Sequence, residues 1–175
     1  MVVRILLSAL LCWVVGAAHA QPAERPLTLY SGYAAGTNTD TALRTLADLI
    51  SRQNGRRVIV ENKPGASGTF AAASVIASKP EGNVLAQAPI SVFRMPHISA
   101  NYDPRTDLSW IISIAGYRFA TIVRGESPWK TWKDIIDYAR ANPGKFTYAT
   151  PGQASSPHIT MEDIAEREGD RKSVV

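Results

Sequence analysis

Hydrophobic positions change period along the chain, and each change marks an element. "RPLTLYS" (25–31) alternates apolar and polar residues, the period of a strand. In "TDTALRTLADLISRQNG" (39–55), Leu43, Leu46, Ala47 and Ile50 are spaced i, i+3, i+4, i+7, one face of a helix. Thr39 or Asp40 can cap its start, and Asn54-Gly55 ends it. "RRVIVEN" (56–62) is a continuous β-branched run, as expected of a strand buried on both faces. "KPGASGTF" (63–70) is a Pro/Gly/Ser loop. "GTFAAASVIASKP" (68–80) predicts a short helix stopped before Pro80, and "NVLAQAP" (83–89) a third strand. This strand–helix–strand–helix–strand rhythm predicts an α/β fold with a parallel sheet and helical crossovers.

Beyond it, "SVFRMPHISANYDPRTD" (91–107) is a connector with two prolines. "LSWIISIAGYRFATIVRG" (108–125) predicts two further apolar strands, divided near Gly116-Tyr117-Arg118. "SPWKTWKDIIDYARANPG" (127–144) predicts a helix with Trp132, Ile135, Ile136 and Ala139 on its apolar face. Thr131 with Asp134 three residues on resembles a capping box. "KFTYAT" (145–150) predicts a strand. "PGQASS" is a loop, and "PHITMEDIAEREG" a second helix with Ser156 as N-cap and Pro157 first in the helix. After "DRKSVV" nothing returns to the sheet, so the expectation is a C-terminally truncated chain.

Composition narrows the picture. The opening "MVVRILLSALLCWVVGAAHA" has an early Arg4, an apolar run from Ile5 to Val15 broken only by Ser8, and the small-x-small site Ala18-His19-Ala20. These are the parts of a secretory signal peptide (residues 1–20). The run is shorter than the roughly 20 residues a spanning helix needs, which argues against membrane insertion after cleavage. Leu11 before Cys12 argues against a lipoprotein site. Cleavage removes 20 of 175 residues and leaves 155, enough for one ordinary domain. It also removes the only cysteine, and with it any disulfide, thiol nucleophile or thiolate metal site. The formal charge of +4 falls to +3 with Arg4 and is scattered along the chain. A nucleic-acid groove would need a clustered basic stripe with stacking aromatics, so nucleic acid is not an expected partner.

Two segments share one design: a predicted strand, a small polar loop, then a helix N-terminus. They are Gly32–Asp40 and Thr150–His158. Such junctions aim free N–H groups and the positive end of a helix dipole at whatever sits there, which suits an anion such as a carboxylate. In open parallel sheets, ligands bind at the carboxyl ends of strands, where both loops lie. Neither loop matches a phosphate template. Catalytic signals are weak. His97 and His158 lack the spacing of a zinc site. Ser155-Ser156-Pro157-His158 is not framed as a nucleophile elbow. Asp40 could act as a general base, but a helix cap explains it more simply. Arg94 and Arg118 could face a carboxylate, or lie on the surface. Trp129 and Trp132 fit a core better than a ligand-stacking role. No catalytic residue, metal or cofactor is predicted.

Taken together, "YSGYAAGTNTDTALR", "VIVENKPGASGTFAAASVIASKPEG" and "DYARANPGKFTYATPGQASSPHIT" resemble the substrate-binding receptors of tripartite tricarboxylate transporters, the Bug-type solute receptors. "QAPISVFRMPH" and "SPWKTWKDIIDYA" are similar to a subgroup of them. The resemblance runs from about Pro26 to Gly169. It implies a periplasmic-binding-protein-like (type II) architecture, two α/β lobes about a cleft that closes by a hinge. Of these, 21–125 would form an incomplete first lobe and 126–175 the start of a second, because family members run to about twice this mature length. It implies a periplasmic location, a small carboxylated ligand, and membrane transporter subunits as partners.

Carried over residue by residue, the resemblance puts Tyr33, Ala35, Gly36, Thr37, Asn38, Thr39 and Asp40 of the first loop at the ligand. Tyr33 stands where the family often has Phe. The second loop contributes Thr150, Gly152, Ala154, Ser155, Ser156 and His158. Gln87 and Ser91 would line the cleft floor. Thr37-Asn38 and Ala154 replace glycines of the family pattern, which shrinks or polarises the pocket. The alternatives are a secreted small-molecule enzyme using Asp40 or His158, and an interaction module built on the same half-sheet.

Overall fold

The structure is a computed structural model that describes residues 25–169. The signal peptide and the "DRKSVV" ending expected from the sequence lie outside the described residues.

A three-stranded parallel sheet forms the centre, in the order β2–β1–β3, with β1 (Leu27–Ser31), β2 (Val58–Asn62) and β3 (Val84–Ala86). Leu29 is in register with Val60 on one side and Leu85 on the other. The alternation of β1 is real burial: Leu27, Leu29 and Ser31 are buried while Thr28 and Tyr30 are half-buried. Helix α1 (Asn38–Asn54) crosses from β1 to β2, and α2 (Thr69–Ile76) crosses from β2 to β3. The fold class is α/β, as the element rhythm predicts.

Helix α1 packs on the sheet through Leu43 and Ala47 and stops at Gly55, whose φ of 67° gives the left-handed C-terminal turn. Its N-cap is Thr37, two or three residues earlier than expected. Thr37 Oγ1 accepts the Asp40 N–H, and Asp40 reaches back to the Gly36 N–H, so Asp40 lies inside the first turn. Strand β2 is half-buried rather than covered on both faces. It pairs only with β1 among the described residues, and so has an edge.

The connector 91–107 carries two short turns, the α3 helix (Ser91–Arg94) and a 3₁₀ turn at Met95–His97. Helix α4 (Trp132–Ala141) has the predicted capping box: Thr131 Oγ1 accepts from Asp134 N–H, and the Asp134 carboxylate accepts from Thr131 N–H. Ile135 is buried, but Trp132 is exposed. A second small cluster forms where Trp129 meets Tyr138 and the edge of Phe146, ring centroids 5.1 and 5.6 Å apart. Helix α5 (Ser156–Arg167) begins one residue earlier than expected, with Ser155 as N-cap and Pro157 in its first turn.

The strands predicted over 108–125 and 145–150 are not formed. A strand exists only when its backbone is paired, and no described segment forms a ladder with either stretch. Ile111, Ile112, Ile114 and Ile122 consequently stand exposed.

Candidate functional site

The first loop, 32–40, leaves β1 and enters α1. Its conformation is set by Asp40, which is only 3% exposed. One oxygen, Oδ2, accepts the Gly36 N–H at 2.9 Å and Arg44 Nε–H at 3.0 Å; Oδ1 accepts Asn62 Nδ2–H at 2.7 Å. The hydrogen bond from Arg44, then those from Gly36 and Asn62, hold the carboxyl at about 2, well below its ordinary 3.8. Asn62 also donates to the Tyr33 carbonyl, tying the loop to the end of β2. Asp40 thus faces inward and organises the loop. At the tip, the N–H groups of Asn38 and Thr39 keep no protein partner among the described residues, and the Thr39 hydroxyl meets Tyr117 Oη at 3.1 Å.

A turn within the Pro/Gly/Ser loop 63–70 comes next to this loop. Gly32 lies so close to Gly68 that a Cβ on Gly32 would stand 2.3 Å from the Gly68 carbonyl oxygen. Ala66 and Ser67, in the same turn, take left-handed φ of 45° and 56°. The Ser67 carbonyl accepts from the hydroxyl of buried Ser91 at 2.7 Å.

The second loop, 150–158, approaches that turn. The Ser67 hydroxyl donates to the Gln153 carbonyl at 2.5 Å. Ala154 is fully buried with φ of 62°. The Ser155 hydroxyl caps α5 by accepting the His158 N–H, and the Ser156 N–H has no protein partner among the described residues. Gly152 donates its N–H to the Thr150 hydroxyl.

Between the loops lies a cavity of about 640 Å³. Of the sequence-predicted residues, Tyr33, Ser91, Ser155 and Ser156 line it. Ala35, Gly36, Thr37, Asn38, Thr39, Asp40, Gln87, Thr150, Gly152, Ala154 and His158 do not. Gln87 extends β3 by donating its N–H to Tyr30 O. Its Oε1, and His158 Nδ1, are shielded from solvent with no partner among the described residues. The lining also includes Ser67, Phe93, Trp110 and Tyr117, which the sequence reading does not select. Phe93 and Trp110 stack at 4.7 Å. The glycines around Ala66-Ser67 were the available signal for Ser67. Among the described residues no charged side chain lines the cavity. Burial, and then nearby Tyr117, push the Tyr33 phenol above its ordinary value. Among the described residues no cluster of His, Cys, Asp and Glu could hold a metal.

Comparison with known proteins gives one consistent result. A family model described as "Tripartite tricarboxylate transporter family receptor" matches residues 42–174. The "UPF0065 protein in gbd 5'region" of Cupriavidus necator is 46% identical over 147 residues, 83% of this chain and 45% of the relative. The chain spans about half the length of the curated relatives it matches. Among solved structures, that of the periplasmic binding protein BugD is similar at 26% identity and a TM-score of 0.68, over 87% of this chain and 52% of that one. One titled "R. palustris Rpa4515 with adipate" is similar at 26% identity and a TM-score of 0.73, with the same coverage.

Proposed function

This chain belongs to the tripartite tricarboxylate transporter receptor family, and on that premise we propose that it is a periplasmic receptor for a small carboxylated solute. The solute lies between the first and second loops, which pass it to membrane subunits of a tripartite transporter. On this reading residues 21–125 belong to a first, incomplete lobe and 126–175 to the beginning of a second. The observation that carries the reading is the convergence of Tyr33 with Ser155 and Ser156, remote in sequence, on one cavity. The unpartnered N–H group of Ser156 supports a carboxylate, because it sits at the positive end of a helix and its residue lines the cavity. Each charge-assisted hydrogen bond is worth about 1.5–3 kcal/mol. A micromolar Kd, about −8 kcal/mol, would need several such bonds.

A receptor fits the chemistry of these residues better than an enzyme. Asp40 has its acceptor capacity turned to Gly36, Arg44 and Asn62, and Ser155 Oγ caps a helix rather than facing an imidazole. Among the described residues no helix is long and apolar enough to cross a membrane. The test is titration calorimetry of the full chain with adipate, benzoate and citrate. Saturable heat with a micromolar Kd from at least one acid is expected. A cooperatively melting chain that gives no saturable heat with any of them overturns the reading.

A further inference from the structure

We propose that Arg94 is a positioning residue, the principal bolt of a clasp that fixes the second loop against the first lobe. Arg94 ends α3. Its Nη1 donates to the Ala154 carbonyl at 3.1 Å and to the Ser156 hydroxyl at 3.2 Å. It forms no ion pair with a carboxylate among the described residues, so its charge is directed at a peptide dipole and a hydroxyl. It does not line the cavity, whereas Ser155 and Ser156 do. Arg94 therefore acts through the loop that carries them.

Backbone conformation gives an independent reason. Among the described residues, the non-glycine residues with positive φ are Ala66, Ser67 and Ala154. All three lie where the two segments meet. Such conformations persist only where surrounding contacts over-determine them. On the first-lobe side the contacts are Ser91 Oγ–H to Ser67 O at 2.7 Å and Thr69 Oγ1–H to Ala66 O at 2.8 Å. On the second-loop side they are the Arg94 bond to Ala154 O and the Ser67 bond to Gln153 O. Gly152 sits against this bond: a Cβ there would lie 2.7 Å from Ser67 Oγ. The clasp holds Ala154 left-handed, and that turn aims Ser155 and Ser156 at the cavity. This holds whichever solute the cavity takes.

Native-state hydrogen exchange on the full chain tests the clasp without a ligand. Arg94→Ala should speed exchange of the Ser155, His158 and Ile159 amides by about tenfold or more, as a local opening does. The Leu27 and Lys63 amides, bonded to Arg57 O and Ser31 O, should stay within about twofold of wild type by the same reasoning. Adding Ala154→Gly to Arg94→Ala should restore most of the lost protection, because glycine adopts positive φ without support. Three results overturn the proposal: no acceleration at 155–159, equal acceleration at Leu27 and Lys63, or no recovery in the double variant.

Discussion

Asp40 is where the residue scale is most informative. Three donors converge on a carboxylate that is nearly excluded from water. Its pKa is about 2 in the folded chain against an ordinary 3.8. A carboxyl with a depressed folded pKa favours the folded state while it is ionised, above its unfolded value. That contribution fades as pH falls from 3.8 toward 2. Asp103, held at about 2 mainly by Arg105, and Asp134, lowered by the Lys130 and Thr131 N–H groups, share the acid sensitivity. The wild-type melting curve alone does not isolate Asp40, but the difference from Asp40→Asn does. That substitution keeps the shape of the side chain and removes its charge. We expect a lower Tm for Asp40→Asn, by several degrees, between pH 5 and 7, and convergence of the two proteins only as pH falls to about 2. A gap in Tm that stays constant from pH 7 to about pH 2 would show that the Asp40 charge contributes nothing.

At the scale of elements, the first loop depends on how closely two turns approach. Gly32 has no room: a Cβ would meet the Gly68 carbonyl oxygen at 2.3 Å and its Cα at 2.8 Å, all backbone that cannot swing aside. Gly36 has open space, but its φ is +82°. Gly32→Ala should cost about 3 kcal/mol, the upper end for overpacking. Gly36→Ala should cost about 1–2 kcal/mol, the left-handed penalty alone. Urea midpoints at constant slope measure both, and Gly36→Ala emerging as the worse of the two would refute the close approach. Elements of this kind were legible in the sequence when their causes were local. The face of α1 through Leu43 and Ala47, its Gly55 stop and the Thr131–Asp134 box all depend on residues within a few positions. The N-caps moved to Thr37 and Ser155 because each loop holds several hydroxyls, and only the fold selects one. Strands at 108–125 and 145–150 did not form, since apolar character cannot supply a pairing partner. For the same reason both loops of the candidate site were legible, as small polar runs before helices. The Ser67 turn and Arg94 were not, because their role is a contact with residues far along the chain.

For the whole molecule, the unpaired stretch 108–124 governs behaviour in solution. Ile112 is 78% and Ile122 88% exposed, with Ile111, Ile114 and Phe119 between or beside them also open. Contiguous apolar surface on an unpaired backbone is a template for association, since another chain can satisfy both the side chains and the peptide groups. The stretch is held at its start by the Phe93–Trp110 stack and the bond from Trp110 Nε1 to Pro104 O at 2.9 Å, and at Tyr117 by the Thr39 hydroxyl. The formal net charge of +4 is too small to prevent contact at moderate ionic strength, where screening acts within about 10 Å. The full chain should therefore enhance the fluorescence of an apolar dye and show a mass that rises with concentration in light scattering. Replacing Ile112 and Ile122 together by lysine removes two of the most exposed apolar side chains and adds repulsion. It should lower both signals severalfold and leave the far-ultraviolet dichroism unchanged, because neither residue belongs to a helix or a strand. A wild-type chain that stays monomeric and dye-silent at every concentration would mean that this stretch is covered in solution by contacts within the chain itself.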